Sequence, residues 1–434
     1  MRKIITLSFL MLIGAVNAQE YVLDSVLPLY DKFINIEANR LEGAENAPTF
    51  SRFFEKLDSI YEGYPLNLHI FHIGGSHIQA DIYSDKIRAY LQTMNTNAMG
   101  QRGFVFPYEL AKTNNPGNYK ISATKEKWQG YRNSVLKDSV AWGLSGVTAA
   151  FRDSLDIIHV LANNRLLHNK QQEFDRLRVF YNTWKDDYNL SIKDSSLVIS
   201  DTINFQKQYK EFRFAAPLME VDLKLEVKDS LRADSEFLLM GMEFLNEKPG
   251  IEYTTIGVNG ASFPSYERAA FFENQLQIYK PDLFIISIGT NDGHVPASEF
   301  DPEKFKEDYS RLIHMIQRIN PDCAILLTVP NDDYYKRRFA NPNTALQRKV
   351  MMELAEEYNM AIWDLYTVMG GLGSSQKWYQ HKLMQKDRIH FTRLGYSIKG
   401  DLLLTAIVEA WAGCLNKDAE ELMNRFKKKE PSKT

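Results

Sequence analysis

The feature that most constrains this chain is a grammar of short apolar strands and helical patterns, stated once near the start, interrupted, and resumed after residue 250. Leu68-His69-Ile70-Phe71-His72-Ile73 is a nearly continuous apolar run, as in a strand buried on both faces. A helical pattern over 50–64 precedes it, with Phe53, Phe54, Leu57, Ile60 and Tyr61 on one face, and Gly74-Gly75-Ser76 ends it. A second helical pattern then runs through Ile82, Ile87, Tyr90 and Leu91. Beyond residue 250, helical patterns over 266–279, 302–319 and about 344–358 alternate with strands at 283–288, 324–329 and 361–363. A last amphipathic helix is expected through 402–411. Strands separated by helices are joined by crossovers, so this part predicts an α/β domain with a parallel sheet covered on both faces.

Residues 115–245 obey a different rule. Segments 119–124, 177–184, 197–200 and 212–216 alternate polar and apolar residues, and Val221-Asp222-Leu223-Lys224-Leu225-Glu226-Val227 is a period-two strand with one wet face. They predict an antiparallel β-sandwich inserted after the first α/β unit, a placement that domains with neighbouring termini tolerate. A chain of 434 residues exceeds what one core usually supports, so a division is expected in any case. The expected parts are residues 19–112, the first part of the α/β domain with an N-terminal helical extension; 113–248, the insertion; 249–415, the remainder; and 416–434, a charged C-terminal tail.

Arg2 and Lys3 precede an apolar run over 4–16 that ends in Val16-Asn17-Ala18, which predicts an export signal over residues 1–18 and a mature chain starting near Gln19. The run is too short to span a bilayer and no second one follows, so no membrane span is expected after cleavage and the protein should be periplasmic or secreted. No Cys at the cleavage point suggests a lipid anchor. Cys323 and Cys414 are too few for a disulfide framework. A formal charge of -3, with Lys and Arg dispersed apart from Lys427-Lys428-Lys429, argues against nucleic acid as a partner. No His or Cys grouping has metal-ligand spacing, so no structural or catalytic metal is expected.

Ser76 stands at the carboxyl end of the first strand, where ligands bind in open parallel sheets, although a Ser after two glycines is ordinarily turn chemistry. A serine nucleophile needs a base, and the base an orienting carboxylate; Asp387-Arg388-Ile389-His390 supplies both, though His390 also stands where it could cap a helix starting near Thr392. Ile286-Ser287-Ile288-Gly289-Thr290-Asn291-Asp292 and Gly257-Val258-Asn259-Gly260-Ala261 end strands with groups suited to hold an oxyanion: the Asn291 amide and the Gly260 N–H. His69 and His72 read as packed strand residues, His77 and His294 as flanking the cleft, and His381 as loop surface.

Gly-Gly-Ser-His, Gly-Val-Asn-Gly, Gly-Thr-Asn-Asp and Asp-Arg-Ile-His resemble the four signature blocks of the SGNH/GDSL hydrolases. The resemblance implies a flavodoxin-like three-layer α/β/α fold and a two-step acyl-enzyme mechanism without a cofactor. It places Ser76, Gly260, Asn291 and His390 in the family's named positions. Ser76-His77-Ile78-Gln79-Ala80-Asp81, the stretch Gly100-Gln101-Arg102-Gly103-Phe104 and the inserted β domain are most similar to Gram-negative peptidoglycan O-acetylesterases, whose insertion resembles a carbohydrate-binding module. The implied partner is an O-acetylated glycan: peptidoglycan first, acetylated plant or host polysaccharide second, a lipid ester third. Trp128, Tyr131, Trp142 and Trp184 are the insertion's candidates for stacking on sugar. One departure stands out, Gly75 where the family usually has Asp. It raises a second reading, a glycan-binding envelope protein with a decayed hydrolase site.

Overall fold

A computed structural model describes residues 21–162, 172–230, 232 and 234–427. The expected export signal lies outside the described residues. Five parallel strands form the central sheet, β1 (Asn67–Gly74), β2 (Gly250–Gly257), β3 (Leu283–Ser287), β4 (Ala324–Thr328) and β5 (Ala361–Trp363), in the order β2-β1-β3-β4-β5, and the short strand Leu41–Glu42 adds antiparallel to β5. That order is the flavodoxin-like one. Successive side chains of β3 enter opposite layers: Leu283 and Ile285 pack with helices Pro48–Tyr61, Tyr83–Gln92 and Arg393–Leu415, whereas Phe284 and Ile286 pack with Pro302–Ile319 and Asn343–Glu357. The sheet therefore has no wet face, which is why β1, β3, β4 and β5 read as apolar runs.

Between β1 and β2 the chain builds two antiparallel sheets, one of seven strands and one of four. Alternate residues of Glu220–Val227 are buried, and the strand pairs with Leu155–Leu161 on one side and Tyr188–Ile192 on the other. Gly103–Val105, ahead of residue 113, already pairs with Phe237–Leu245 in the larger sheet. Phe104, Phe180 and Met242 from these sheets belong to the same buried cluster as Phe284 and Ile286, so the insertion shares its core with one layer of the α/β domain.

Three expectations need correction. The helical pattern over 266–279 is two short helices, Phe263–Glu267 and Phe272–Leu276, because Phe271 N–H donates to the Trp142 carbonyl of the insertion at 3.2 Å and Arg268 to the Asn133 carbonyl at 2.5 Å. The last long helix runs Arg393–Leu415 and is buried through most of its length rather than amphipathic, since helices pack on it from several sides. Part of the expected tail is the helix Ala419–Lys427, which docks through Leu422, Met423 and Phe426. No described helix is long and apolar enough to cross a membrane. Cys323 and Cys414 are free thiols.

Candidate active site

The chain goes from β1 to β2 on one side and to β3 on the other, so the loops leaving β1 and β3 diverge and open a crevice at their carboxyl ends. Gly74 is in register with Gly257 of β2 and Ser287 of β3, which brings the turns after all three strands to one edge.

Ser76 begins the short helix Ser76–Gln79 immediately after β1 and is partly exposed. A Cβ at Gly257 would fall on the Gln79 backbone nitrogen, so this helix lies flush against the end of β2. Its Gln79 side chain is a bracket: Oε1 accepts from the Asn259 N–H at 2.7 Å, while Nε2 donates to the Thr113 hydroxyl at 3.1 Å and the Asn114 carbonyl at 2.8 Å. The Ser134 hydroxyl donates to the Asn259 carbonyl at 2.8 Å, so residues from 113–134 brace the turn that carries Gly260. Gly260 itself is exposed at φ +81°, a left-handed conformation that favours glycine.

Ser76 Oγ lies 2.7 Å from His390 Nε2, and His390 Nδ1 lies 2.8 Å from Asp387 Oδ2. The other carboxylate oxygen accepts the backbone N–H groups of Ile389 and His390, both at 3.0 Å. Arg388 at φ +55° curls the loop so that the carboxylate meets the ring three residues on. Partial burial pushes the Asp387 carboxyl up, but the His390 ring and the two N–H donors outweigh it and hold the group below the usual carboxylate range. The cap of the following helix is Thr392, whose hydroxyl accepts from Gly395 N–H at 3.2 Å; His390 is not its cap. A hydroxyl held against an imidazole whose far nitrogen is fixed by a carboxylate is the arrangement in which the ring can take the hydroxyl proton.

Asn291 Nδ2 donates to the Ala261 carbonyl at 2.9 Å and stands 3.1 Å from where a Cβ at position 75 would be. Its amide thus lies between the Gly75–Ser76 turn and the Gly260–Ala261 turn. The neighbouring Asp292 ties the loop after β3 to the segment after Gly260, Oδ1 accepting from Phe263 N–H at 3.0 Å; burial pushes this carboxyl up to about 7. Beneath, Gln347 donates to the Gly289 carbonyl at 2.7 Å, and Asn341 and Asn343 donate to that of Gly293 at 3.0 and 2.9 Å. Gln79, Asn259 and these three amides were not singled out by sequence. Isolated Asn and Gln carry no spacing signal; only Gln79, three residues after Ser76, and Asn259, in the Gly-Val-Asn-Gly block, lay in stretches already marked.

The remaining histidines divide. His72 is fully buried between the Tyr253 hydroxyl at 2.8 Å and the Ser287 hydroxyl at 2.7 Å, and burial pushes it down to about 3. His77 is buried against the His390 ring, 5.2 Å between centroids, with Nδ1 on the Tyr396 hydroxyl at 2.9 Å; burial, Lys399 and His390 hold it well below its ordinary value. His69 is partly exposed, 3.5 Å from Glu252. His294 packs beside Tyr335, and His381 against Phe33. Of the aromatic candidates, Trp128 and Trp142 are core residues, Tyr131 lies beneath Arg152, and Trp184 is half exposed and stacked on Phe271.

Residues 241–398 match the GDSL-like Lipase/Acylhydrolase family. This part of the chain is similar to the GDSL-like acylhydrolases. The match includes Gly260, Asn291, Asp387 and His390; Ser76 lies on the far side of the insertion. Among solved structures, one titled "Peptidoglycan O-acetylesterase in action, 5 min" superposes with a TM-score of 0.66 at 19% identity, over 83% of this chain and 95% of that one. It shares the fold through the insertion as well as the hydrolase core. A lipase/acylhydrolase from Enterococcus faecalis covers 36% of this chain and 75% of its own at 24% identity and a TM-score of 0.29. An acetyl xylan esterase covers 36% and 80% at 20% identity, also with a TM-score of 0.29. No curated protein sequence matches the chain.

Proposed function

We propose that this acylhydrolase is an exported serine esterase that removes O-acetyl groups from a glycan, with peptidoglycan as its substrate and the β-sandwich over 113–248 as an inserted module. The observation that carries the reading is the hydrogen-bonded chain Ser76–His390–Asp387 at the crevice where ligands bind in this sheet topology. The likeness to the peptidoglycan O-acetylesterase structure supports the substrate, and Arg2, Lys3 and the apolar run over 4–16 support export.

In this mechanism His390 Nε2 takes the Ser76 proton as Oγ attacks the acetyl carbonyl carbon. The carbonyl oxygen becomes an oxyanion, held by the N–H groups of Ser76 and Gly260 and by the Asn291 side chain, which has two amide hydrogens and gives one to Ala261. Collapse breaks the ester C–O bond, and the sugar hydroxyl leaves with the proton from His390. Water, deprotonated by the same ring, then attacks the acetyl-enzyme and releases acetate, returning the proton to Ser76. Asp387 orients the ring and balances its transient charge.

Acetate release from a chromogenic acetyl ester and from O-acetylated peptidoglycan tests this. Ser76→Ala should lose ~10³-fold or more in kcat with an unchanged melting profile. Equal, background rates for both proteins would leave the non-catalytic reading in place.

A further inference from the structure

Between β4 and the helix Asn343–Glu357 the chain makes a small hairpin, Tyr334–Tyr335 paired with Phe339–Ala340. Its turn is Lys336-Arg337-Arg338, with Lys336 at φ +49° and Arg337 at φ +59°. Two successive left-handed residues favour Asn-Gly. Turn chemistry therefore does not account for the cations. All three side chains are exposed, and none forms an ion pair among the described residues, in a chain whose formal charge is -3.

The hairpin is fastened to both sides of the crevice. Arg388, from the loop that carries Asp387 and His390, lays its guanidinium 4.2 Å from the Tyr334 ring centroid and donates to the Arg337 carbonyl. Asn331, at the hairpin's base, donates to the Ile389 carbonyl at 3.2 Å. On the other side, Tyr335 packs 5.2 Å from the His294 ring, in the loop after Asn291. These anchors hold an uncompensated positive turn beside the mouth of the cleft.

We propose that this turn binds carboxylates of the glycan whose acetyl group is in the cleft, making the enzyme selective for anionic over neutral acetylated glycans. The inference rests on the esterase reading and narrows its substrate. Peptidoglycan carries free carboxylates on its peptide stems, at some distance from the acetylated sugar hydroxyl, whereas a neutral acetylated glycan offers such a turn nothing to pair with. Phe339 beside the cations is 64% exposed, so an anionic membrane is the competing partner. Attachment of the hairpin to the loops of His390 and Asn291 favours the substrate.

The test replaces the cations with residues that suit the turn, Lys336→Asn, Arg337→Gly and Arg338→Gln together, with a melting profile to show that the fold is kept. Each lost surface contact changes binding by a few-fold, so kcat/KM on O-acetylated peptidoglycan should fall about tenfold more than on acetylated cello-oligosaccharide. The wild-type preference should also shrink between 0.1 and 1 M salt, as the screening length drops from about 10 to about 3 Å. An unchanged ratio overturns the proposal, as does turn-dependent binding to phosphatidylserine vesicles with unchanged selectivity. A turn-dependent preference for acetylated polygalacturonate over peptidoglycan would overturn the peptidoglycan assignment. Sedimentation with insoluble peptidoglycan, in a Ser76→Ala background, reads the turn without turnover. If the wild type releases no acetate, the esterase reading fails by itself, and equal sedimentation with and without the cations then sinks this one too.

Discussion

Replacing Asp387 by Asn tests the proposed catalytic chain through a proton rather than through a missing group. Oδ1 accepts two backbone donors, Ile389 and His390 N–H, each at 3.0 Å, while Oδ2 faces His390 Nδ1 at 2.8 Å. In Asp387→Asn the carboxamide must choose an orientation. Turning its NH2 toward the two N–H groups would break two hydrogen bonds, about 1 kcal/mol each, and leave both donors facing another donor. Its oxygen therefore stays on the backbone and its NH2 faces His390. The ring must then offer a lone pair at Nδ1 and carry its hydrogen on Nε2, so Nε2 can no longer accept the Ser76 proton. A wrong tautomer in such a triad costs ~10⁴ in kcat, about 5.4 kcal/mol, with geometry and substrate binding preserved. Initial rates on a chromogenic acetyl ester, alongside thermal melts, measure it. A variant that keeps its melting temperature and more than about a tenth of the wild-type kcat would refute the assigned role of Asp387.

Gly257→Ala should abolish activity or folding, because the new Cβ falls on the Gln79 backbone and must displace the helix that carries Ser76; soluble protein with wild-type turnover would show that the helix is not held flush. Lys399 is buried beneath the rings of Tyr83 and Phe391, and that burial pushes its amine down to about 7. The unfolded chain, with Lys near 10.4, then binds more protons between pH about 7 and 10.4, so the cost of the buried amine is full below pH 7 and fades across that window. Lys399→Met should raise the melting temperature most at pH 6 and little at pH 10, and an offset independent of pH would contradict the burial argument.

Most of the parallel sheet was readable because β1, β3, β4 and β5 are buried on both faces and so announce themselves as apolar runs, β5 at the expected residues 361–363, whereas β2, with Glu252, Thr254 and Thr255, carries no such run. The break at Arg268–Phe271 was not readable, because its causes are the carbonyls of Asn133 and Trp142, more than a hundred residues away in sequence. Helix Arg393–Leu415 misled for a related reason: packed by helices on several sides, it keeps beyond its first two residues only a narrow exposed edge at Glu409 and Gly413, too little for an amphipathic period. In Ala419–Lys427 a high content of charge hid an apolar edge of Leu422, Met423 and Phe426. At the crevice, Asp387 and His390 were legible because three residues of separation suffice to join them. The bracket made by Gln79 was not, since an amide says nothing of what it will hold until the fold brings Asn259 and Thr113 to it.

The same geometry bears on the residue that sets this sequence apart from the family it resembles, Gly75. Its φ is -88° and its ψ -142°, so no left-handed φ calls for glycine there. A Cβ would stand 3.1 Å from Asn291 Nδ2, with the Ala261 and Val258 carbonyls at 3.7 and 3.9 Å; a carboxylate at this place would reach the Asn291 amide and stiffen the turn before Ser76. Here both tasks fall to other groups. The Ala261 carbonyl takes an Asn291 hydrogen at 2.9 Å, and the turn is held by Ile78 and Gln79 N–H on the Gly75 carbonyl and by the Tyr266 hydroxyl on that of Gly74 at 2.7 Å. Asp292, bound to Phe263 N–H, adds a second tie between the same loops. A decayed site would leave the amide and the turn without partners when the carboxylate is gone. Each has one here, so glycine at position 75 by itself lends little weight to the non-catalytic alternative.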